Sequence, residues 1–183
     1  MNIRELFDPS KNIDRRIEKV IKYDSIDPQY LRQEITEYVA TESIEASFAR
    51  LLDLLDEGMG GGEGHEIGVW VSGFYGSGKS SFTKYLGFAL DTERALEGKP
   101  FLEWLQNRFT SKTLRARIAT VAKKYPATVI MLDLAAEHLA GASMAEISSV
   151  LYWKVMQWAG YSLDKKNGLS PIHVGERRQV GRI

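Results

Sequence analysis

A glycine-rich loop between an apolar run and an amphipathic pattern places the strongest constraint on this chain. Residues 70–86 read WVSGFYGSGKSSFTKYL, and the stretch matches the G-x-x-x-x-G-K-(S/T) pattern at Gly73, Gly78, Lys79 and Ser80. Glycines let successive backbone N–H groups turn toward one point, and a helix that begins at the loop adds the positive end of its dipole. The spacing therefore predicts a phosphate-binding loop that follows a strand and opens a helix.

The loop residues have distinct expected roles. Lys79 is expected to bridge the β- and γ-phosphates, and the Ser80 hydroxyl to ligate Mg²⁺, which keeps most of its waters. Ser81, one place later, supports the start of the helix. The predicted ligands are ATP and Mg²⁺, and the predicted phosphate-binding residues are Gly73, Gly76, Ser77, Gly78, Lys79, Ser80 and Ser81.

Hydrolysis of a nucleotide requires a carboxylate beyond the loop. Asp133 ends the apolar run TVIMLD in the way that a Walker B aspartate ends its strand. Leu134 follows it where many ATPases have a glutamate, and its strand is the first after the loop rather than the second. Asp133 is the one catalytic candidate, and the alternative of a strand-end aspartate that caps or faces solvent stays open.

The alternation of strand-like and helix-like segments predicts an α/β fold with the parallel sheet of a P-loop NTPase (AAA+/STAND-like). A helical extension is predicted before this domain, and the domain is expected to be incomplete at its C-terminus. EIGVWVSG and ATVIMLDL are the predicted strands. Too few residues follow the loop for the roughly 150 that a complete core needs. The predicted divisions are a helical extension at 1–57, a glycine-rich linker at 58–66, the N-terminal part of the NTPase domain at 67–160 and an irregular tail at 161–183.

Helix faces and caps are also predicted. Residues 31–55 read as helical, with Thr41 or Ser43 available as an N-cap. A later helix has one apolar face formed by Leu114, Ile118, Val121 and Ala122. Ser143 and Glu146 have capping-box spacing and open a further helix, and the tryptophans are expected in the core.

Composition excludes several function classes. Lysine plus arginine and aspartate plus glutamate number 24 each, so no global field draws the chain onto DNA or anionic lipid, and any DNA contact is expected to be indirect or through a larger complex. The absence of cysteine excludes disulfides and thiolate metal sites. No signal-like or membrane-spanning run is present, so a cytoplasmic location is expected.

Three blocks carry a resemblance to a known family: IRELFDPSKNIDRRIEKVI, EITEYVATESIEASFARLL and GVWVSGFYGSGKSSFTKYLGFAL. Together they resemble the N-terminus of the BREX phage-defence P-loop ATPases (the BrxC/PglY family), over about residues 1–160. The resemblance implies a large cytoplasmic ATPase in an anti-phage system that includes a DNA methyltransferase, with other BREX components as partners. It implies Walker A at Gly73, Gly78, Lys79 and Ser80. It also implies that Walker B and the catalytic half lie beyond this chain, so that this chain is a truncated form.

Two alternatives remain beside an ATP-binding N-terminal segment of such an ATPase. One is a small P-loop metabolite kinase, which needs an arginine-rich lid, whereas residues 134–160 contain no arginine. The other is a non-catalytic interaction module that regulates a full-length relative by pairing with it, for which self-association is expected.

Overall fold

The computed structural model describes residues 3–6, 27–60, 68–133, 147–159, 161–164 and 168–171. A short 3₁₀ turn, Ile3–Leu6, comes first. The helices are α1 (Pro28–Glu37), α2 (Glu42–Gly60), α3 (Lys79–Leu90), α4 (Phe101–Gln106), α5 (Lys112–Lys124) and α6 (Ile147–Trp158). The strands are β1 (Ala95–Leu96), β2 (Lys99–Pro100), β3 (Tyr161–Asp164) and β4 (Gly168–Pro171).

The predicted parallel sheet of a P-loop NTPase is wrong. Within the ranges that the structure describes, the strands form two separate antiparallel pairs, β1 with β2 and β3 with β4. The predicted strands are residues 66–73 and 127–134, and their described parts, 68–73 and 127–133, belong to neither pair. The one parallel contact in these ranges is an isolated bridge between Asp91 and Ala127. An apolar run becomes a strand only when a neighbour takes up its backbone N–H and C=O groups, and the described part of the fold supplies no such neighbour.

The core of the described residues lies between helices. Phe48 on α2 is fully buried, with ring centroids 4.2 Å from Phe82 and 5.1 Å from Phe109. Helix α2 packs on α5, and α3 packs on α4. Helix α5 buries the predicted face, Leu114, Ile118, Val121 and Ala122. The glycine-rich loop therefore precedes a helix, α3, that packs within the helical core.

Helix boundaries follow local capping. The region predicted as helical at 31–55 is divided, because Tyr38 leaves α1 in an extended conformation. Thr41, one of the two predicted caps, accepts a hydrogen bond from the Ile44 N–H at 3.4 Å as α2 begins. The predicted capping box of Ser143 and Glu146 lies outside the described residues.

The C-terminal described ranges contain a helix and a hairpin. Strands β3 and β4 pair from Tyr161 with Pro171 to Asp164 with Gly168, within a stretch that was expected to be irregular. Helix α6 contacts β3 and exposes Trp158. None of the helices in the described ranges combines the length and the hydrophobicity that a bilayer crossing requires.

Candidate functional site

Two glycines give the loop its shape. Gly76 has φ 77° and Gly78 has φ 82°, a region that side chains disfavour. A Cβ atom at either position would meet nothing within 4 Å, so the backbone conformation, and not crowding, requires glycine there. Helix α3 begins directly after Gly78, and the side of the loop away from the core is open to solvent.

Gly73 is glycine for a different reason. A Cβ at Gly73 would lie 2.8 Å from the Ser77 Oγ, so the first glycine of the motif permits a close approach across the loop. The Ser77 N–H donates to the Phe74 carbonyl at 3.2 Å and closes the turn. These contacts bring the two ends of the loop together.

The Lys79 ammonium spans the loop from the helix side. Its Nζ donates to the carbonyls of Gly73 at 2.9 Å and Phe74 at 2.7 Å. An ammonium has three N–H donors. Two of them donate to the loop carbonyls. The third N–H and the positive charge of the ammonium are therefore left for an anion.

Backbone donors gather at the same place. The N–H groups from Gly78 to Ser81 donate to no backbone carbonyl of the described residues. They form the first turn of a 12-residue helix, where free N–H groups and the helix dipole favour a negative charge. The loop and the start of α3 together carry hydrogen-bond donors and a positive charge of the kind that suits an anion.

The two serines after Lys79 differ in their surroundings. Ser80 is exposed in the first turn of α3, with its hydroxyl available to solvent. Ser81 is half-buried and hydrogen-bonds to the phenol of Tyr85, whose pKa burial raises well above its ordinary value. Ser80 is therefore placed to meet a ligand, and Ser81 supports the helix.

Asp133 is half-buried at the end of residues 127–133. It does not end a strand, which removes the sheet-edge argument that made it a catalytic candidate. Residues 127–133 instead lie against α3, because the side chains of Val129 and Met131 reach Gly87 in the third turn of that helix. In the sequence, the signal for this contact is Gly87 itself, because a glycine inside an apolar helical pattern indicates close approach of another segment. The contact was not predicted.

A buried ion pair joins α3 to α1. The Lys84 side chain is 1% exposed, and its Nζ lies 2.6 Å from the Glu34 carboxylate. Burial lowers the pKa of Lys84, and the hydrogen bond that Lys84 donates to the Glu34 carboxylate opposes that shift. The sequence signal was a lysine four residues before Phe88, on the side of α3 that faces the core.

Within the ranges described, no group of three or more His, Asp or Glu side chains is arranged to hold a metal ion. Mg²⁺ accompanying a nucleotide is held chiefly by phosphate oxygens and water, with one or two protein ligands. The exposed Ser80 hydroxyl suits that kind of site, and an all-protein metal site has no support.

No family model matches the chain, and no solved structure matches it significantly. The resemblance to BREX ATPases therefore depends on the three sequence blocks alone.

Proposed function

We propose that residues 73–81 bind the phosphates of ATP together with Mg²⁺. The observation that carries the proposal is the position of Lys79, whose ammonium already lies across the loop on two carbonyls and keeps one donor for an anion. The N–H groups in the first turn of α3 donate to no backbone carbonyl of the described residues. A charged lysine, a nest of N–H groups and a helix N-terminus are the combination that a triphosphate requires.

Each loop residue has a role in this proposal. Gly76 and Gly78 hold the backbone in the conformation that turns its N–H groups inward, and Gly73 and Ser77 close the ring of chain around the phosphate. Lys79 donates to the phosphate oxygens. The Ser80 hydroxyl ligates Mg²⁺, which when bound neutralises charge on the phosphates.

At the level of the whole protein, we propose an N-terminal segment of a BREX-type anti-phage ATPase in the cytoplasm. The support is the ordered resemblance of three blocks, of which only one contains the phosphate loop. Other BREX components are the proposed partners, and DNA is contacted only indirectly or through a larger complex. Hydrolysis depends on catalytic residues supplied with the rest of such an enzyme.

An interaction module is the second candidate, because large apolar side chains are exposed beside the loop. Trp70 and Phe74 are each 91% exposed, and Tyr75 is fully exposed. As an interaction module, the protein binds ATP at the loop without hydrolysing it. Its exposed aromatic side chains contact a full-length relative. Sedimentation of the chain with and without ATP separates the two candidates, since only the module self-associates and loses that ability in Tyr75→Ser.

Thermal unfolding of the whole chain tests ATP binding. Mg-ATP at 100 times its dissociation constant adds about 2.7 kcal/mol to the free energy of unfolding of a protein that binds it only when folded. We expect this gain in the parent and its loss in Lys79→Ala.

Lys123→Ala is the matched control, since Lys123 is an exposed lysine on α5. It should unfold like the parent and retain the response to Mg-ATP. Equal stabilisation of the parent and Lys79→Ala, or none in the parent, would contradict the proposal.

A further inference from the structure

Residues 68–72, which read GVWVS, form an apolar segment just before the glycine-rich loop. They belong to neither a helix nor a strand, and their N–H and C=O groups make no backbone hydrogen bond within the described residues. All five are exposed, with Trp70 at 91%, Val69 at 48% and Val71 at 39%. Because valine and tryptophan favour strands, this segment has the composition of a strand and lacks only a neighbouring chain to pair with.

The order of residues in this segment is symmetric about Trp70. Val69 precedes the tryptophan and Val71 follows it, and the next residue on each side is small, Gly68 and Ser72. Two copies that run antiparallel about a twofold axis at Trp70 therefore place each valine opposite a valine, and the two tryptophans opposite each other. Cross-strand pairs of aromatic and of β-branched side chains are the kind that stabilise a sheet.

Charge does not oppose contact between two copies at this segment. Residues 67–78 contain no charged side chain, and the whole chain carries 24 basic and 24 acidic residues. Like charges that lie directly opposite each other destabilise paired strands, and the segment brings none together. A second copy of the chain is therefore a partner that the segment accepts without repulsion and whose symmetry it already has.

The pairing ends where the glycine-rich loop begins. The carbonyls of Gly73 and Phe74 accept hydrogen bonds from the Lys79 Nζ, at 2.9 and 2.7 Å, so they are already engaged within the loop. Gly73 is the third residue after Trp70, so the two loops of a pair lie about 20 Å apart at about 3.4 Å per residue of strand. Contact between the segments therefore leaves both loops open.

We propose that residues 68–72 pair antiparallel with the same residues of a second copy of this chain, with Trp70 at the twofold axis. The second copy supplies the neighbour that the described core lacks, so the segment becomes a strand only in the dimer. The inference rests on the second candidate function, and it gives that self-association a geometry. Five residues a side fall short of the roughly 20–30 a side of stable complexes, so the dimer is weak, and the chain is a monomer at the low concentrations of unfolding experiments.

Sedimentation of Trp70→Lys and Trp70→Glu tests the twofold axis, at concentrations up to about 1 mM so that a weak dimer is populated. Because Trp70 lies opposite its own copy, each variant alone places like charges together, and we expect each to remain a monomer where the parent sediments as a dimer. An equimolar mixture of the two places opposite charges together and should recover dimers. Both variants should fold as the parent does, since Trp70 is exposed.

Disulfide formation tests the register, because the parent chain contains no cysteine. In the proposed pairing Gly68 lies opposite Ser72 of the other copy, and cross-strand Cβ atoms about 4.5–5.5 Å apart are close enough for a disulfide after a small adjustment. A Cβ on Gly68 meets nothing within 4 Å, and Ser72 is exposed. We expect an oxidised mixture of Gly68→Cys and Ser72→Cys to give a cross-linked pair of the two variants, identified by its mass. Neither variant should cross-link alone, since four residues of strand separate its two copies of the cysteine by about 13 Å.

Several results would overturn the inference. A Trp70→Lys protein that self-associates like the parent, or charge variants that stay apart when mixed, would exclude the twofold axis at Trp70. Cross-linking of Gly68→Cys with itself would show a different register or parallel strands.

The same measurements separate this inference from the function on which it rests. Self-association that is lost in Tyr75→Ser and retained in Trp70→Lys leaves the second candidate function standing and overturns the pairing of residues 68–72. A parent that is a monomer at every concentration overturns both. ATP binding by the loop is measured separately by thermal unfolding, and no result from sedimentation or cross-linking bears on it.

Discussion

At the scale of single residues, Gly78 and Gly98 share a backbone conformation but serve different purposes. Gly78 has φ 82° in the glycine-rich loop, and Gly98 has φ 75° in the turn between β1 and β2. Neither position is crowded, since a Cβ would meet nothing within 4 Å. The cost of an alanine at either position is therefore backbone strain alone, which makes the two glycines a matched pair.

We expect Gly78→Ala and Gly98→Ala each to lower the free energy of unfolding by about 1–2 kcal/mol. Only Gly78→Ala should also lose the stabilisation by Mg-ATP, because only this change alters the direction of the loop N–H groups. Denaturant unfolding with and without Mg-ATP measures both quantities. A Gly78→Ala protein that responds to Mg-ATP as strongly as Gly98→Ala would show that the loop does not form the phosphate site.

At the scale of elements, the ion pair between Lys84 and Glu34 links α3 to α1. We expect Glu34→Gln to cost about 3 kcal/mol, because it leaves a buried ammonium without its countercharge. Lys84→Met should cost about 1 kcal/mol or less, and the double variant should resemble Lys84→Met. Denaturant unfolding of the four proteins gives the coupling energy.

The control is the exposed pair between Arg32 on α1 and Glu97, at 3.1 Å with side chains 55% and 42% exposed. Glu97→Gln should cost under about 1 kcal/mol, since water screens such pairs. Similar costs for Glu34→Gln and Glu97→Gln would mean that burial of Lys84 does not hold α1 in place.

Glu45 connects α2 to the start of α5. Its carboxylate accepts hydrogen bonds from the Thr110 hydroxyl at 3.0 Å and the Ser111 N–H at 3.1 Å, and a further one from the Thr110 N–H. Burial alone would raise the pKa of Glu45, but these hydrogen bonds outweigh it and lower the pKa below its ordinary 4.5. The folded state therefore binds the proton less readily than the unfolded state does.

The contribution of Glu45 to stability is thus present above pH 4.5 and lost as the pH falls through the lowered pKa. We expect Glu45→Gln to cost about 1–2 kcal/mol near neutral pH and to flatten the acid limb of the stability curve. Unfolding measured from pH 7 to pH 3 tests this. Glu42→Gln, at an exposed position on the same helix, should keep the parent's acid limb, and an identical limb in Glu45→Gln would be evidence against the capping role.

At the scale of the whole molecule, two aromatic residues distinguish the helical core from the sheet that the sequence predicted. Trp70 belongs to an apolar run that would be a buried strand in a parallel sheet, yet it is 91% exposed. Phe48 is completely buried among helices. The structure therefore corrects the expectation that the tryptophans lie in the core, with Trp70 and Trp158 exposed.

We expect Trp70→Ala to change the free energy of unfolding by no more than about 0.5 kcal/mol, as exposed positions do. Phe48→Ala should lower it by about 3–5 kcal/mol, since it removes a ring from a packed cluster. Denaturant unfolding compares the two variants directly. A loss of several kcal/mol in Trp70→Ala would indicate that Trp70 is buried, as in the predicted strand. That result would contradict the helical arrangement.

The local pattern of the sequence predicted those features that depend on neighbours along the chain. The buried face of α5, the cap at Thr41 and the start of α3 after Gly78 all follow from spacing and capping chemistry within a few residues. The loop conformation was predictable in the same way, because Gly76 and Gly78 carry the positive φ values that the motif requires. These features are local, so the sequence determines them by itself.

The tertiary structure decided the rest, because long-range pairing carries no local signature. An apolar run such as residues 68–73 has the composition of a strand, but whether it finds a partner depends on segments far along the chain, and here the described core is filled by helices instead. The same holds for Lys84, whose burial is tolerable only because Glu34 arrives from α1 fifty positions earlier, and for Gly87, whose purpose appears only once Met131 lies on it. The sequence by itself determined the conformation of the glycine-rich loop, and only the packing decided what surrounds it.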